Sequence, residues 1–126
     1  MSPRAAGATQ HELSRIGLLA TLPGATLARL AENMVREDIP AGAGVVSEGD
    51  EGDRFYVVLS GVLTVSQEAL GPRRVLRPGD TFGEVALALD VPRTASVRAM
   101  TPVVVVSCDR ATFDRYVRPL YADDAG

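Results

Sequence analysis

The chain opens on helical spacing. Thr9 and Glu12 hold the S/T-x-x-E interval of a capping box. Leu13, Ile16 and Ala20 follow at intervals of three and four, which predicts one apolar face of a helix. Pro23 and Gly24 interrupt the pattern, and Leu27, Leu30, Ala31 and Met34 resume it at i, i+3, i+4 and i+7. From Val35 to Ser107 the period changes. Short β-branched or apolar runs alternate with turn residues, and they predict strands at 35–39, 45–46, 55–59, 62–65, 74–76, 95–99 and 103–107. Between them stand Pro40 to Gly42, Gly49 to Gly52, Ser60-Gly61, Gly71-Pro72 and Pro78 to Asp80. Many short strands with regular turns predict a mainly β fold, a sandwich or barrel, with Ser60-Gly61 read as a tight hairpin.

Two segments leave the β rhythm. Glu84 to Leu89 reads as a short helix between strands. Asp109 to Val117 reads as a terminal helix capped by Asp109, with Phe113, Tyr116 and Val117 on one face and Pro119 as its end. The expected organisation is a flexible tail at 1–9, one domain at 10–121 and a second flexible tail at 122–126.

Composition narrows the function classes. At 126 residues one domain is the natural expectation, large enough to bury a core without staples. No apolar run approaches the roughly 20 residues of a membrane span, and the first residues lack the apolar core of a signal peptide, so a cytoplasmic chain is expected. The net charge of −3 argues against a nucleic-acid surface. All 13 basic residues are Arg, which with the abundant Ala suggests a GC-rich, bacterial source. One histidine, His11, and one cysteine, Cys108, make neither a zinc site nor a Cys/His nucleophile pair. Cys108 follows the run Val103 to Val106 and reads as a buried strand thiol. No metal, cofactor or enzyme activity is expected.

The informative stretch is Phe82 to Val97, FGEVALALDVPRTASV. Gly83 has no Cβ and lets a ligand come close to the backbone. Glu84, Val85 and Ala86 form a first helical turn, whose N–H groups have no internal partner and suit an anionic oxygen. Arg93 brings a fixed charge and a planar fork of donors that fit phosphate. Glu84 can accept hydrogen bonds from a sugar hydroxyl. Together these groups match a ribose phosphate carrying a single charge.

The stretch resembles the phosphate-binding cassette of the cyclic nucleotide-binding domain family, approximately F-G-E-[LIV]-A-L, a spacer, then P-R-[AST]-A-x-V. Phe82, Gly83, Glu84, Ala86, Leu87, Pro92, Arg93, Thr94, Ala95 and Val97 conform, and Gly49, Gly61 and Gly79-Asp80 fall at the family's turns. The resemblance spans about residues 12 to 117. It implies a double-stranded β-helix, a jelly-roll-like β-roll with N-terminal helices, a short cassette helix and a C-terminal helix. It implies a cyclic mononucleotide ligand, cAMP first and cGMP second. Arg93 would pair with the equatorial phosphate oxygen and Glu84 would bond the ribose 2′-hydroxyl. Backbone N–H groups near Gly83, Ala86 and Thr94 or Ala95 would complete the cradle. Val85 and Val97 would lie beside the ribose and base. A hydroxyl at Thr94 can reach the guanine amino group in this family, yet Thr is also a good strand residue.

In many members a long lid helix follows the terminal helix. Here Arg118-Pro119 is expected to interrupt it, and Leu120 or Tyr121 is either a cap for the base or part of a loose tail. Arg73, Arg74 and Arg77 read as a solvated loop, with a steering rim as the lesser reading. The leading function is therefore a sensor whose flanking segments, 10–34 and 109–121, shift on binding. Its effector would lie in the same polypeptide or in a homodimer, with no nucleic-acid or membrane partner. The alternative is a domain of this fold that binds no nucleotide and serves as an interaction or dimerisation module.

Overall fold

A computed structural model of the chain describes residues 7–124. Its strands are β1 (Val35–Ile39), β2 (Gly44–Val46), β3 (Arg54–Ser60), β4 (Leu63–Gln67), β5 (Gly71–Leu76), β6 (Thr81–Phe82), β7 (Ser96–Ala99) and β8 (Val103–Asp109). They form two antiparallel four-stranded sheets, in the orders β1-β8-β3-β6 and β2-β7-β4-β5. The fold is mainly β with flanking helices, a jelly roll.

Side chains on a strand alternate between faces, and this alternation divides the core. On β3, Phe55 and Val57 face the helices, whereas Tyr56 and Val58 face the opposite sheet. On β8, Val106 and Cys108 join the helical side while Val103 and Val105 join the inter-sheet side. A sheet covered on both faces needs apolar residues at consecutive positions. That is why FYVVL and VVVV read as unbroken runs. Cys108 is fully buried here, as expected of a strand thiol, and burial pushes its thiol up to about 12 from 9.0.

The helices cover the first sheet. Helix α1 (Gln10–Ser14) opens on the predicted capping box: Glu12 N–H donates to Thr9 Oγ1 at 3.0 Å, and Thr9 N–H donates to Glu12 Oε1 at 3.0 Å. It stops sooner than the spacing suggested. Beyond Ser14 the backbone bonds run i to i−3, from Ile16 to Leu13, Leu19 to Ile16 and Leu22 to Leu19. A period of three replaces 3.6, so Leu19 is buried and Ala20 is exposed. Helix α2 (Gly24–Glu32) buries Leu27, Leu30 and Ala31 as predicted, and Met34 is buried just beyond it.

Three further expectations change. Ser60-Gly61 does not close a hairpin: β3 pairs with β6 and β8, while β4 pairs with β5 and β7, so the turn carries the chain from one sheet to the other. At the N-terminus, Ala8 packs into the helical core and the Gly7 carbonyl accepts from Arg36 Nε at 3.0 Å, so 7–9 do not behave as a tail. The rest of that expected tail, 1–6, and residues 125–126 lie outside the described residues. At the C-terminus, Asp109 Oδ1 accepts from Thr112 N–H at 2.9 Å and starts α4 (Arg110–Thr112). A π-helical turn (Phe113–Val117) and α5 (Arg118–Asp124) continue it past Pro119. A proline inside an α-helix collides with the carbonyl four residues back and leaves it unbonded. Here the wide turn ends at Val117, with Arg118 N–H bonding back to the Phe113 carbonyl, and Pro119 falls in the first turn of a new segment where no N–H is required.

Candidate functional site

Helix α3 (Glu84–Leu89) sits between β6 and the segment leading to β7. Its N-cap, Gly83, has φ +93°, and a Cβ there would stand 2.7 Å from the Arg54 carbonyl and 2.8 Å from Arg93 Nη1. Only glycine meets both demands. At the other end, Asp90 closes α3 in the left-handed region at φ 54°, donating its N–H to the Ala86 carbonyl. Two arginines from the C-terminal helical run then hold the last carbonyls of α3. Arg118 Nη2 donates to Leu87 O at 2.8 Å and Nη1 to Ala88 O at 3.1 Å, while Arg110 Nη1 donates to Leu87 O at 3.2 Å. Cations are favoured at that end of the helix dipole.

Arg93 is the only charged residue among the buried ones described, 7% exposed. The loop Gly49 to Gly52 fixes its backbone: Arg93 N–H donates to Asp50 O at 2.7 Å, and Gly49 N–H donates to Arg93 O at 2.9 Å. A Cβ on Gly52 would lie 2.9 Å from Arg93 Nε and 2.5 Å from the Ala86 Cβ. The guanidinium donates to Arg54 O at 3.0 Å and to Gly83 O at 3.3 Å, and lies 5.9 Å from the centroid of Tyr56, itself stacked on Phe82 at 4.7 Å. Among the described residues no carboxylate comes within ion-pair distance of it. Burial lowers its pKa, with Tyr56, Asp53 and Glu84 acting the other way. Those two bonds use part of its five-donor fork.

Glu84 stands at the first turn of α3, and its Oε2 is buried with no hydrogen-bond partner among the described residues. A buried polar atom without a partner costs about 1–3 kcal/mol. Glu84 and Arg93, a cation without a carboxylate partner among the described residues, border the same cavity, of about 240 Å³. That arrangement can receive an anion and a hydroxyl donor together.

The structure gathers all the predicted residues around this cavity. β6 supplies Phe82, the start of α3 supplies Gly83 to Ala86, and the following segment supplies Arg93 to Ala95 and Val97. Sequence reasoning missed the opposite wall, which comes from Val46 on β2, Val65 and Gln67 on β4, and Arg73 and Arg74 on β5. β5 begins at Gly71, so Arg73 is a strand residue rather than a loop residue, and Arg74 lies in the strand predicted at 74–76. The alternation Leu63, Val65, Gln67 was a readable signal for the inward face of β4. Leu120 and Tyr121 do not border the cavity. They pack on the helical core, with the Tyr121 ring 6.3 Å from Phe113, and burial pushes the Tyr121 hydroxyl up to about 12, with the Glu84 carboxylate contributing.

Comparison with known proteins agrees with this geometry. The family model described as "Cyclic nucleotide-binding domain" matches residues 36–118. The cAMP-dependent protein kinase regulatory subunit of Eremothecium gossypii is 39% identical over 108 residues, covering 86% of this chain and 24% of that protein. The chain thus spans about a quarter of the curated relatives it matches. The regulatory domain of Toxoplasma gondii PKA, co-crystallised with cAMP, superposes with a TM-score of 0.83 at 27% identity, covering 92% of this chain and 48% of that one. A Trypanosoma brucei regulatory subunit of a cAMP-independent protein kinase A shares the fold, with a TM-score of 0.84 at 24% identity over 87% of this chain and 40% of that one. The matched Eremothecium relative is fungal, as are others such as that of Candida albicans, so the suggestion of a bacterial source finds no support. By the family match and the site's geometry together, this chain belongs to the cyclic nucleotide-binding domain family.

Proposed function

We propose that the chain is a regulatory domain that binds a 3′,5′-cyclic mononucleotide reversibly and performs no reaction on it. The observation that carries this reading is that Glu84, at the first turn of α3, and Arg93, a buried cation without a carboxylate partner among the described residues, border one cavity. Arg93 takes the equatorial phosphate oxygen. Amides at the start of α3 take the other, and Glu84 accepts from the ribose 2′-hydroxyl. Val85 and Val97 flank the sugar and base. The cAMP in the Toxoplasma relative supports cAMP as the ligand, and the Thr94 hydroxyl keeps cGMP as the second candidate. The relatives' description as regulatory subunits supports a non-enzymatic role.

Binding acts as a population shift, limited by the ligand's differential affinity for two arrangements, typically about 1–3 kcal/mol. Segments 10–34 and 109–121 are the moving parts, and Arg110 and Arg118 join the second of them to α3. The effector lies elsewhere in a longer polypeptide or in a second copy.

Thermal unfolding with cAMP and cGMP tests the reading. Ligand at 100 times Kd should add about 2.7 kcal/mol of stability. No shift with either nucleotide at millimolar concentration would instead support a nucleotide-free interaction module. Nucleotide recovered altered after long incubation would overturn the non-enzymatic assignment.

A further inference from the structure

The inward row of β4 reads Leu63, Val65, Gln67. Leu63 is fully buried between the sheets, and Val65 and Gln67 border the cavity. The third position of an apolar row thus carries a carboxamide, which is costly on an apolar wall unless it is bonded. It is bonded: Gln67 Nε2 donates to the Thr94 carbonyl at 2.9 Å, across 27 residues of sequence. A carbonyl only accepts, so the bond also fixes which end of the carboxamide faces Thr94.

Thr94 lies where the sheet ends. β7 begins at Ser96, and its register with β4 stops at the pair Ser66 and Ser96. Thr94 and Ala95 precede the strand, and both border the cavity. Beyond the last ladder pair, the Gln67 side chain supplies a bond that a longer ladder would supply from its backbone. The preceding peptide is held from the other side, since Gly49 N–H donates to the Arg93 carbonyl at 2.9 Å. A trans peptide is planar, with its carbonyl and its N–H pointing in opposite directions. Holding the Arg93 carbonyl therefore turns the Thr94 N–H away from the Gly49 loop. Holding the Thr94 carbonyl turns the Ala95 N–H away from the β4 wall.

We infer that Gln67 is a positioning residue of the phosphate cradle: through the Thr94 carbonyl it aims the Ala95 N–H at one exocyclic oxygen of the ligand's phosphate. The inference rests on the proposed function and deepens it. Backbone freedom that persists before binding must be given up on binding, and restraint in advance favours affinity. The Gln67 bond supplies that restraint to a segment that follows α3 and precedes β7 without belonging to either. Its effect passes through one peptide group, so it acts on the phosphate end of the ligand and is indifferent to the base.

The test uses Gln67→Met, which keeps the length of the side chain and removes its donor. Wild type and variant are titrated calorimetrically with four ligands: cAMP, cGMP, and the two adenosine 3′,5′-cyclic phosphorothioates, which carry sulfur at one or the other exocyclic phosphate position. cAMP and cGMP should weaken by the same factor, about three- to tenfold, as for the loss of one hydrogen bond. One phosphorothioate should weaken as cAMP does. The other should weaken by less than about twofold, because its sulfur, a poor acceptor, has already forfeited the Ala95 bond and the two losses do not add. No loss, losses that differ between cAMP and cGMP, or equal losses for all four ligands would overturn the inference and leave the proposed function standing. A wild-type chain that binds none of the four would overturn the proposed function, and the inference with it.

Discussion

Replacing Arg93 with methionine separates what this residue does for the ligand from what it does for the fold. Methionine keeps much of the stem and removes the charge. The lost charge-assisted bond to phosphate is worth about 1.5–3 kcal/mol, a weakening of about 10- to 150-fold. At a ligand concentration of 100 times the wild-type Kd, wild type gains about 2.7 kcal/mol and the variant about 0.3–1.4 kcal/mol. A domain of this size shifts by about 3–5 °C per kcal/mol, so the ligand-induced rise falls from about 10 °C to about 1–6 °C. Without ligand the two effects oppose each other. The Arg54 and Gly83 carbonyls lose a donor, and a buried cation with no carboxylate partner disappears. Relieving that burial offsets much of the loss, as for buried ions replaced by apolar side chains. The unliganded unfolding temperature should therefore stay within about 5 °C of wild type. Differential scanning fluorimetry over a nucleotide titration reads both numbers. A variant that keeps the full ligand-induced rise refutes the phosphate role. A variant that loses more than about 10 °C without ligand refutes the view that Arg93 is kept for binding rather than for stability.

Other expectations follow from the same contacts. Glu84→Ala should narrow the preference for a ribonucleotide over its 2′-deoxy analogue, measured as a ratio of dissociation constants; an unchanged ratio would remove Glu84 from the sugar. Gly52→Ala should push Arg93 and Ala86 apart, since its Cβ would stand 2.5 Å from one and 2.9 Å from the other, and so weaken binding at a residue with no side chain of its own. Affinity equal to wild type would show that the loop yields freely. Asp109→Asn should remove a pH-dependent contribution. The Thr112 backbone bond holds the Asp109 carboxyl below its ordinary value, so its stabilisation is present above about pH 4 and is lost as pH falls through the lowered value. The wild-type and variant stabilities should converge in acid, and a constant difference from pH 7 to pH 2 would contradict this. The Cys108 thiol, pushed to about 12 by burial, should resist alkylation at pH 8 until the chain unfolds; rapid labelling of native protein would contradict its packing.

How much of this was legible in the sequence depended on the range of the interaction. The cassette was readable because its groups lie within Phe82 to Val97, and each answers to a local requirement. A left-handed glycine opens α3, free amides follow, and Arg93 returns after a short spacer. The unbroken run Phe55 to Leu59 also announced its strand, since both faces of that sheet are covered. The opposite wall of the cavity was not readable. Arg73 and Arg74 border the cavity only because β5 pairs with β4 in this register, and nothing within five neighbouring residues encodes that partner. Ser60-Gly61 misled for a related reason. The turn residues were right, but tertiary pairing sent the two strands to different sheets. Pro119 misled because the rule against prolines inside helices assumes α-helical spacing, and the π-helical turn before it restarts the helix where a proline is tolerated. The short strand β6, with two residues, carries too little pattern to be seen without its partner Tyr56.

A crystal structure of the chain with a bound cyclic nucleotide tests the account most directly. The expected result is a cyclic phosphate within about 2.7–3.1 Å of the Arg93 guanidinium and of a backbone N–H at the start of α3, with the 2′-hydroxyl on Glu84. A nucleotide seated elsewhere, or a phosphate in this cavity that touches neither Arg93 nor α3, would contradict it.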